Sequence, residues 1–210
     1  MNPVALRGLY AITSAATCRD PVRLADAVGA ALRGGARLIQ LRAKDVAAPT
    51  RAAMARELLA LCRTAGACFI VNDDVELAAT IGADGVHLGQ SDAPLRAARE
   101  RLGPHALIGV SCANVLPRAI AAERDGASYV AFGRFFPSLT KPDAPPASLE
   151  LLRESRGAVR LPICAIGGVT SDNAAPLIAA GASMVAAVEG VFGAADVAAA
   201  ARAYARLFVQ

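Results

Sequence analysis

Tryptophan is absent from this sequence, aromatic residues make up only 4% of it, and histidine occurs twice. With so few stacking platforms and no clustered run of like charges, a nucleic-acid partner is not expected, although 22 Lys and Arg outnumber 18 Asp and Glu; phosphate-backbone binders combine a basic face with interleaved aromatics. The formal charge of +4 favours small anionic ligands instead. His87 lies inside an apolar run and His105 follows Gly103-Pro104, so the two share no motif, and neither a zinc site nor a Ser-His-Asp triad is inferred. His87 reads as a packed, hydrogen-bonded core residue. The five cysteines, Cys18, Cys62, Cys68, Cys112 and Cys164, are odd in number and never spaced as CxxC, which argues against a disulfide framework and for reduced, packed thiols. No stretch long enough to span a membrane is free of charge, Gly and Pro, and the opening residues carry no basic segment followed by an apolar core. The expectation is a soluble, cytoplasmic protein with no membrane partner.

What is present is a hydrophobic fraction of 55% over 210 residues, enough for a single domain, 1–210, with a sizeable core. One phrase recurs: an Ala-rich helical segment, a Gly-Ala break, then a short apolar run closed by a polar residue. The predicted strands are 8–13, 37–42, 68–73, 85–89, 107–111, 129–133, 162–167 and 184–189. Segments of helical composition follow at 21–33, 50–64, 93–101, 114–124, 147–156, 171–179 and 194–208, with a turn or two at 75–80. Strands this apolar, joined by segments too long for hairpins, are parallel and covered on both faces. Eight such units predict an α/β fold, a closed (β/α)8 TIM barrel. An open doubly wound sheet is the alternative; against it, Thr13-Ser14-Ala15-Ala16 stands where a GxGxxG would follow the first strand. The one long irregular stretch, 134–146, is Pro-rich, and a loop of that kind in a compact fold is usually functional.

Catalytic groups of such barrels lie at the C-terminal ends of the strands. There the sequence places Gln40, Arg42 and Lys44; Asn72, Asp73 and Asp74; Gln90, Ser91 and Asp92; Ser111; Ser138, Thr140 and Lys141; and Gly167-Gly168. Cations, hydroxyls and backbone amides suit phosphate oxygens, and two carboxylates from adjacent strands suit a hard ion such as Mg2+. Asp74 can equally cap the helix that follows it. Arg51, Arg56, Arg96 and Arg99 read as solvated helix faces.

Taken together, Gln40-Leu41-Arg42-x-Lys44, Asn72-Asp73-Asp74-Val75, Gly82 to Asp92 (GADGVHLGQSD), Ile108-Gly109-Val110-Ser111, Phe136-Pro137-Ser138-x-Thr140-Lys141 and Ala165-Ile166-Gly167-Gly168-Val169 resemble the thiamine phosphate synthase family. The similarity runs in register from about Gly8 to Val191. It implies that Gln40, Leu41, Arg42, Ala43, Lys44, Asn72, Ser111 and Lys141 hold a pyrimidine and its diphosphate. It also implies that Asp73 and Asp92 are ligands of one or more Mg2+ ions. Ser138, Leu139 and Thr140, with the Gly168 backbone, Val188 and Glu189, fall where the family binds thiazole phosphate. The implied reaction displaces pyrophosphate from a hydroxymethylpyrimidine diphosphate by the thiazole nitrogen. In it Arg42, Lys44, Ser111 and Lys141 form the catalytic set, and the 134–146 loop serves as lid.

Three positions depart from the commonest family pattern: Arg134 stands for a usual Pro, Ala113 for a frequent His, and Glu189 for part of a usual Val-Ser. Only Glu189 falls on an implied ligand position, and the expectation is that it turns its carboxylate away, toward a nearby Arg or Lys, and offers only its amide. Two alternatives share the barrel, a related thiazole tautomerase and an inactive regulatory barrel. Asp73, Asp92 and Lys141 favour the synthase over the first. An oligomer is compatible with the sequence but does not follow from it.

Overall fold

The computed structural model describes residues 6–90, 92–138 and 144–209. Its eight strands are β1 (Gly8–Ile12), β2 (Leu38–Leu41), β3 (Cys68–Asn72), β4 (Gly85–Leu88), β5 (Leu107–Ala113), β6 (Tyr129–Phe132), β7 (Ile163–Ala165) and β8 (Met184–Ala187). Each pairs in parallel with the next, and β8 closes on β1 through Gly8 to Ala11 against Met184 to Ala187. That closure excludes the open doubly wound sheet and makes the fold a (β/α)8 barrel. Around it run α1 (Pro21–Arg33), α2 (Ala48–Ala65), α3 (Val75–Ile81), α4 (Leu95–Leu102), α5 (Leu116–Arg124), α6 (Leu149–Ala158), α7 (Ala175–Ala179), α8 (Glu189–Phe192) and α9 (Val197–Arg206).

Side chains alternate along a strand, so each strand feeds two separate cores. Tyr10, Ile12, Leu38, Ile70, Tyr129 and Met184 fill the barrel interior. Their neighbours Leu9, Ala11, Ile39, Leu41, Phe69 and Val71 pack outward against the helices. Both faces are dry, and the strands therefore read as unbroken apolar runs rather than as alternating ones.

Local chemistry sets the helix ends. The side chains of Asp20, Asp74, Ser148 and Asp196 accept from backbone amides in the first turns of α1, α3, α6 and α9, each cap contributing about 1 kcal/mol. Gly66 and Gly82 close α2 and α3 in the left-handed conformation that only glycine adopts without strain. Below the barrel, Arg99 of α4 is more than a solvated residue. Its guanidinium donates to the carbonyls of Gly103, Pro104, Ala106 and Gly126 and to Ser128 Oγ, tying two neighbouring loops together.

Some boundaries differ from the sequence reading. The run predicted as strand through 189 ends at Ala187, because the chain turns into α8 at Glu189. The helix predicted over 171–179 shortens to α7, because Asn173 instead staples the preceding loop: its Oδ1 accepts from Thr170 N and its Nδ2 donates to Gly168 O. The last predicted helix begins at Val197, where Asp196 caps it.

Candidate active site

The C-terminal ends of the strands surround a cavity of about 610 Å³, the size of an ordinary small-molecule site. From β2 the alternation sends Gln40, Arg42 and Lys44 into it, while Leu41 and Ala43 turn outward and are buried in the helix-facing core. Buried Thr13 fixes the end of β2: its Oγ1 accepts from Arg42 N at 2.9 Å, and its own amide donates to Gln40 O at 3.0 Å.

Asn72 ends β3, and Asp73 follows with φ 63°, a left-handed conformation that Asp tolerates better than most residues. Its amide donates to His87 O at 2.9 Å, and its carboxylate meets Lys44 Nζ at 3.1 Å. The carboxylate of Asp74 instead caps α3 through Leu77 N and pairs with Arg51 Nη2 at 3.2 Å. The loop after β4 brings Asp92 back to the rim, where Gly89 N donates to Asp92 Oδ2 at 2.5 Å. Burial, and then the Asp73 carboxylate within hydrogen-bonding reach, raise the Asp92 pKa; the Gly89 amide and Lys44 oppose the rise without cancelling it. Two carboxylates thus converge beside a lysine, and these are the residues able to hold a divalent cation. Among the described residues no cluster of three or more His, Cys, Asp or Glu has metal-binding geometry.

On the opposite wall, Ser138, Arg134, Gly167, Gly168, Val188 and Glu189 line the cavity. Phe135 N and Phe136 N donate to Ile166 O and Gly167 O, which pins the start of the long loop beside β7, and Ala147 N donates to Arg134 O, which ties the loop's far end to its start. At Gly168, with φ 64°, a Cβ would overlap Pro137 O; only glycine lets the loop approach this closely. Glu189 opens α8, where the first amides have no intrahelical acceptor. Its exposed carboxylate runs along α8, with Oε2 at 2.8 Å from where a Cβ on Gly193 would stand, and Gly193 is not among the cavity-lining residues. No ion pair involving Glu189 occurs among the described residues, so the expected Arg or Lys partner is not found there. Leu139, Thr140, Lys141 and Ser91 lie outside the described residues.

The sequence reading named Gln40 and Ser111 on the floor of the cavity but not the residues beside them. Tyr10 and His87 line it together with Ser111 and Gln40; Tyr129, hydrogen-bonded to both Tyr10 and His87, lies buried behind them, where a Cβ on Gly109 would overlap its ring. The inward period of β1, β4 and β6 carries this information, but a tyrosine in an apolar run reads first as core.

The sequence model of thiamine monophosphate synthase matches residues 9–191, from β1 into α8, taking in the end of every strand. The chain belongs to the thiamine monophosphate synthase family. Among curated relatives, the thiamine-phosphate synthase of Thioalkalivibrio sulfidiphilus is 53% identical over 97% of this chain and 96% of its own length. That of Methylococcus capsulatus is 52% identical over 98% and 91%. The solved structure of a thiamine phosphate pyrophosphorylase from Pyrococcus furiosus superposes with a TM-score of 0.88 at 34% identity, covering 99% of this chain and 98% of that one. Membership of this family of enzymes agrees with a single rim cavity lined by Gln40, Arg42, Lys44, Asn72, Asp73, Asp92, Ser111, Ser138, Gly168, Val188 and Glu189. No helix among the described residues is long and apolar enough to cross a membrane.

Proposed function

We propose that residues 1–210 form one catalytic domain, a cytoplasmic transferase with neither nucleic-acid nor membrane partner. It condenses a hydroxymethylpyrimidine diphosphate with thiazole phosphate to give thiamine phosphate and pyrophosphate. The observation that carries this reading is the Asp73 and Asp92 pair beside Lys44 and Arg42, facing the Ser138 and Gly168 wall across one cavity. A proton-transferring tautomerase has no need of such a pair, and an inactive barrel gives no reason for Asp92 to keep a carboxylate against its neighbour's charge.

Two carboxylates fit Mg2+, which takes one or two from the protein and fills the rest of its shell with water and substrate phosphate oxygens. When bound, the ion would neutralise negative charge growing on the departing pyrophosphate. Arg42 and Lys44 lie on the same wall and act on the same charge, which is electrostatic rather than acid–base catalysis; Lys141 joins them by family resemblance. Gln40, Asn72 and Ser111 hold the pyrimidine and its diphosphate, with Leu41 and Ala43 contributing backbone only. Ser138, Leu139, Thr140 and the amides at Gly168, Val188 and Glu189 receive the thiazole phosphate. The thiazole nitrogen attacks a pyrimidine methyl cation, so no protein nucleophile is needed, and the cavity with its covering loop keeps water from that cation.

The test is pyrophosphate release with both substrates and Mg2+. Release is expected to need all three, and to fall about a hundredfold in Asp73→Asn and in Asp92→Asn. Absence of release by the unaltered chain would remove the reading; near-normal turnover of either variant at low Mg2+ would remove that residue from the metal site.

A further inference from the structure

Five side chains from five strands form one hydrogen-bonded line across the barrel floor. Gln40 Nε2 of β2 donates to the Tyr10 hydroxyl of β1 at 2.6 Å, and that hydroxyl meets the Tyr129 hydroxyl of β6 at 2.9 Å. Tyr129 meets His87 Nδ1 of β4 at 3.1 Å, and His87 Nε2 meets Ser111 Oγ of β5 at 2.9 Å. Tyr10 and Tyr129 are 1% and 0% exposed, and burial pushes both phenols far above their ordinary pKa, so each keeps its proton.

A hydroxyl has one proton to give, and that fixes a direction. Tyr10 already receives from the Gln40 amide, so its own proton goes to Tyr129. Tyr129, receiving from Tyr10, gives its proton to His87 Nδ1. The ring proton therefore resides on Nε2 and goes to Ser111 Oγ, whose hydroxyl proton is then left for the cavity it lines. Run backwards, the line would aim the Tyr10 proton at the Gln40 NH2 group, two donors face to face where burial makes the mismatch costly.

We propose that Tyr10, Tyr129 and His87 are positioning residues, a one-way chain that holds His87 as its Nε2–H tautomer and presents Ser111 to the cavity as a hydrogen-bond donor. The Ser111 proton is then available to a substrate acceptor, a ring nitrogen or a phosphate oxygen. The identity of that atom rests on the proposed activity; the direction of the chain does not.

With only two histidines in the sequence, nitrogen NMR of protein labelled at histidine resolves both rings, exposed His105 serving as reference. His87 is expected as the pure Nε2–H tautomer. Gln40→Glu replaces the donor at Tyr10 with an acceptor, reverses the chain, and is expected to convert His87 to the Nδ1–H tautomer from three hydrogen bonds away. A His87 that is Nδ1–H in the unaltered chain, or that ignores Gln40→Glu, overturns the proposal. Should Gln40→Glu not fold, Tyr129→Phe decides: losing the donor at Nδ1 should turn His87 into a mixture of tautomers, and an unchanged pure Nε2–H form contradicts the chain. In the same variant kcat/KM for the pyrimidine diphosphate should fall about tenfold, with KM for thiazole phosphate within about twofold. Equal losses for both substrates would mean a structural role only. If the unaltered chain releases no pyrophosphate, the functional reading fails while the tautomers still decide the relay.

Discussion

Asp92 carries a charge that its surroundings resist. Its folded pKa lies above the ordinary carboxylate value, chiefly through burial and then through Asp73. A group raised in this way contributes stability below its unfolded pKa and loses it as pH rises through the folded value. At neutral pH the metal-free protein therefore bears a cost there, small because the carboxylate is only partly buried and solvent screens it. Asp92→Asn keeps an oxygen for the Gly89 amide and is expected to leave the metal-free Tm unchanged or slightly higher at neutral pH, with the gain vanishing below the carboxylate range. A clear drop in Tm by calorimetry would show that the carboxylate supports the fold. Glu189 offers a second measurement. With its carboxylate lying along α8, Glu189→Ser should change KM for thiazole phosphate by less than about threefold, about 0.7 kcal/mol; a tenfold tightening would place the carboxylate against the phosphate. Gln40, Asp73, Asp92 and Ser111 were legible in the sequence because each closes or follows an apolar run. Tyr10 and Tyr129 were not, because what distinguishes them is a partner on another strand.

At the level of elements, all eight strands are legible because both of their faces are buried, and the Gly-Ala breaks just before β2, β3, β4, β6 and β8 fall on glycines with positive φ, Gly35, Gly66, Gly82, Gly126 and Gly181. Ends decided by a single capping or stapling residue are less so: β8 gives way to α8 two residues before the predicted end, and Asn173 takes residues that composition assigned to a helix. Arg99 shows the same limit, since composition makes it one more arginine of an Ala-rich helix. Its charge-assisted bonds to four carbonyls and a serine lie at the opposite end of the barrel from the cavity. Arg99→Ala is expected to lower unfolding free energy by about 2 kcal/mol in denaturant titration, with KM for both substrates unchanged. A shift in KM with no loss of stability would mean that α4 communicates with the rim.

For the molecule as a whole, counting strand and helix units was sufficient to predict closure, but the count contains nothing about depth. Depth emerges only when the inward residues are stacked. Leu38, Cys68, Leu107 and Met184 fill the lower interior, the line from Gln40 to Ser111 lies over them, and the cavity rises from that line to the rim. The barrel is thus a blind well and not a passage. Everything that enters by the mouth leaves by the same mouth, so a molecule seated on the Gln40 and Ser111 floor departs only after whatever rests above it has gone. The sealed floor thereby makes the rim both entrance and exit for whatever the cavity holds, which no rim residue, taken alone, would reveal.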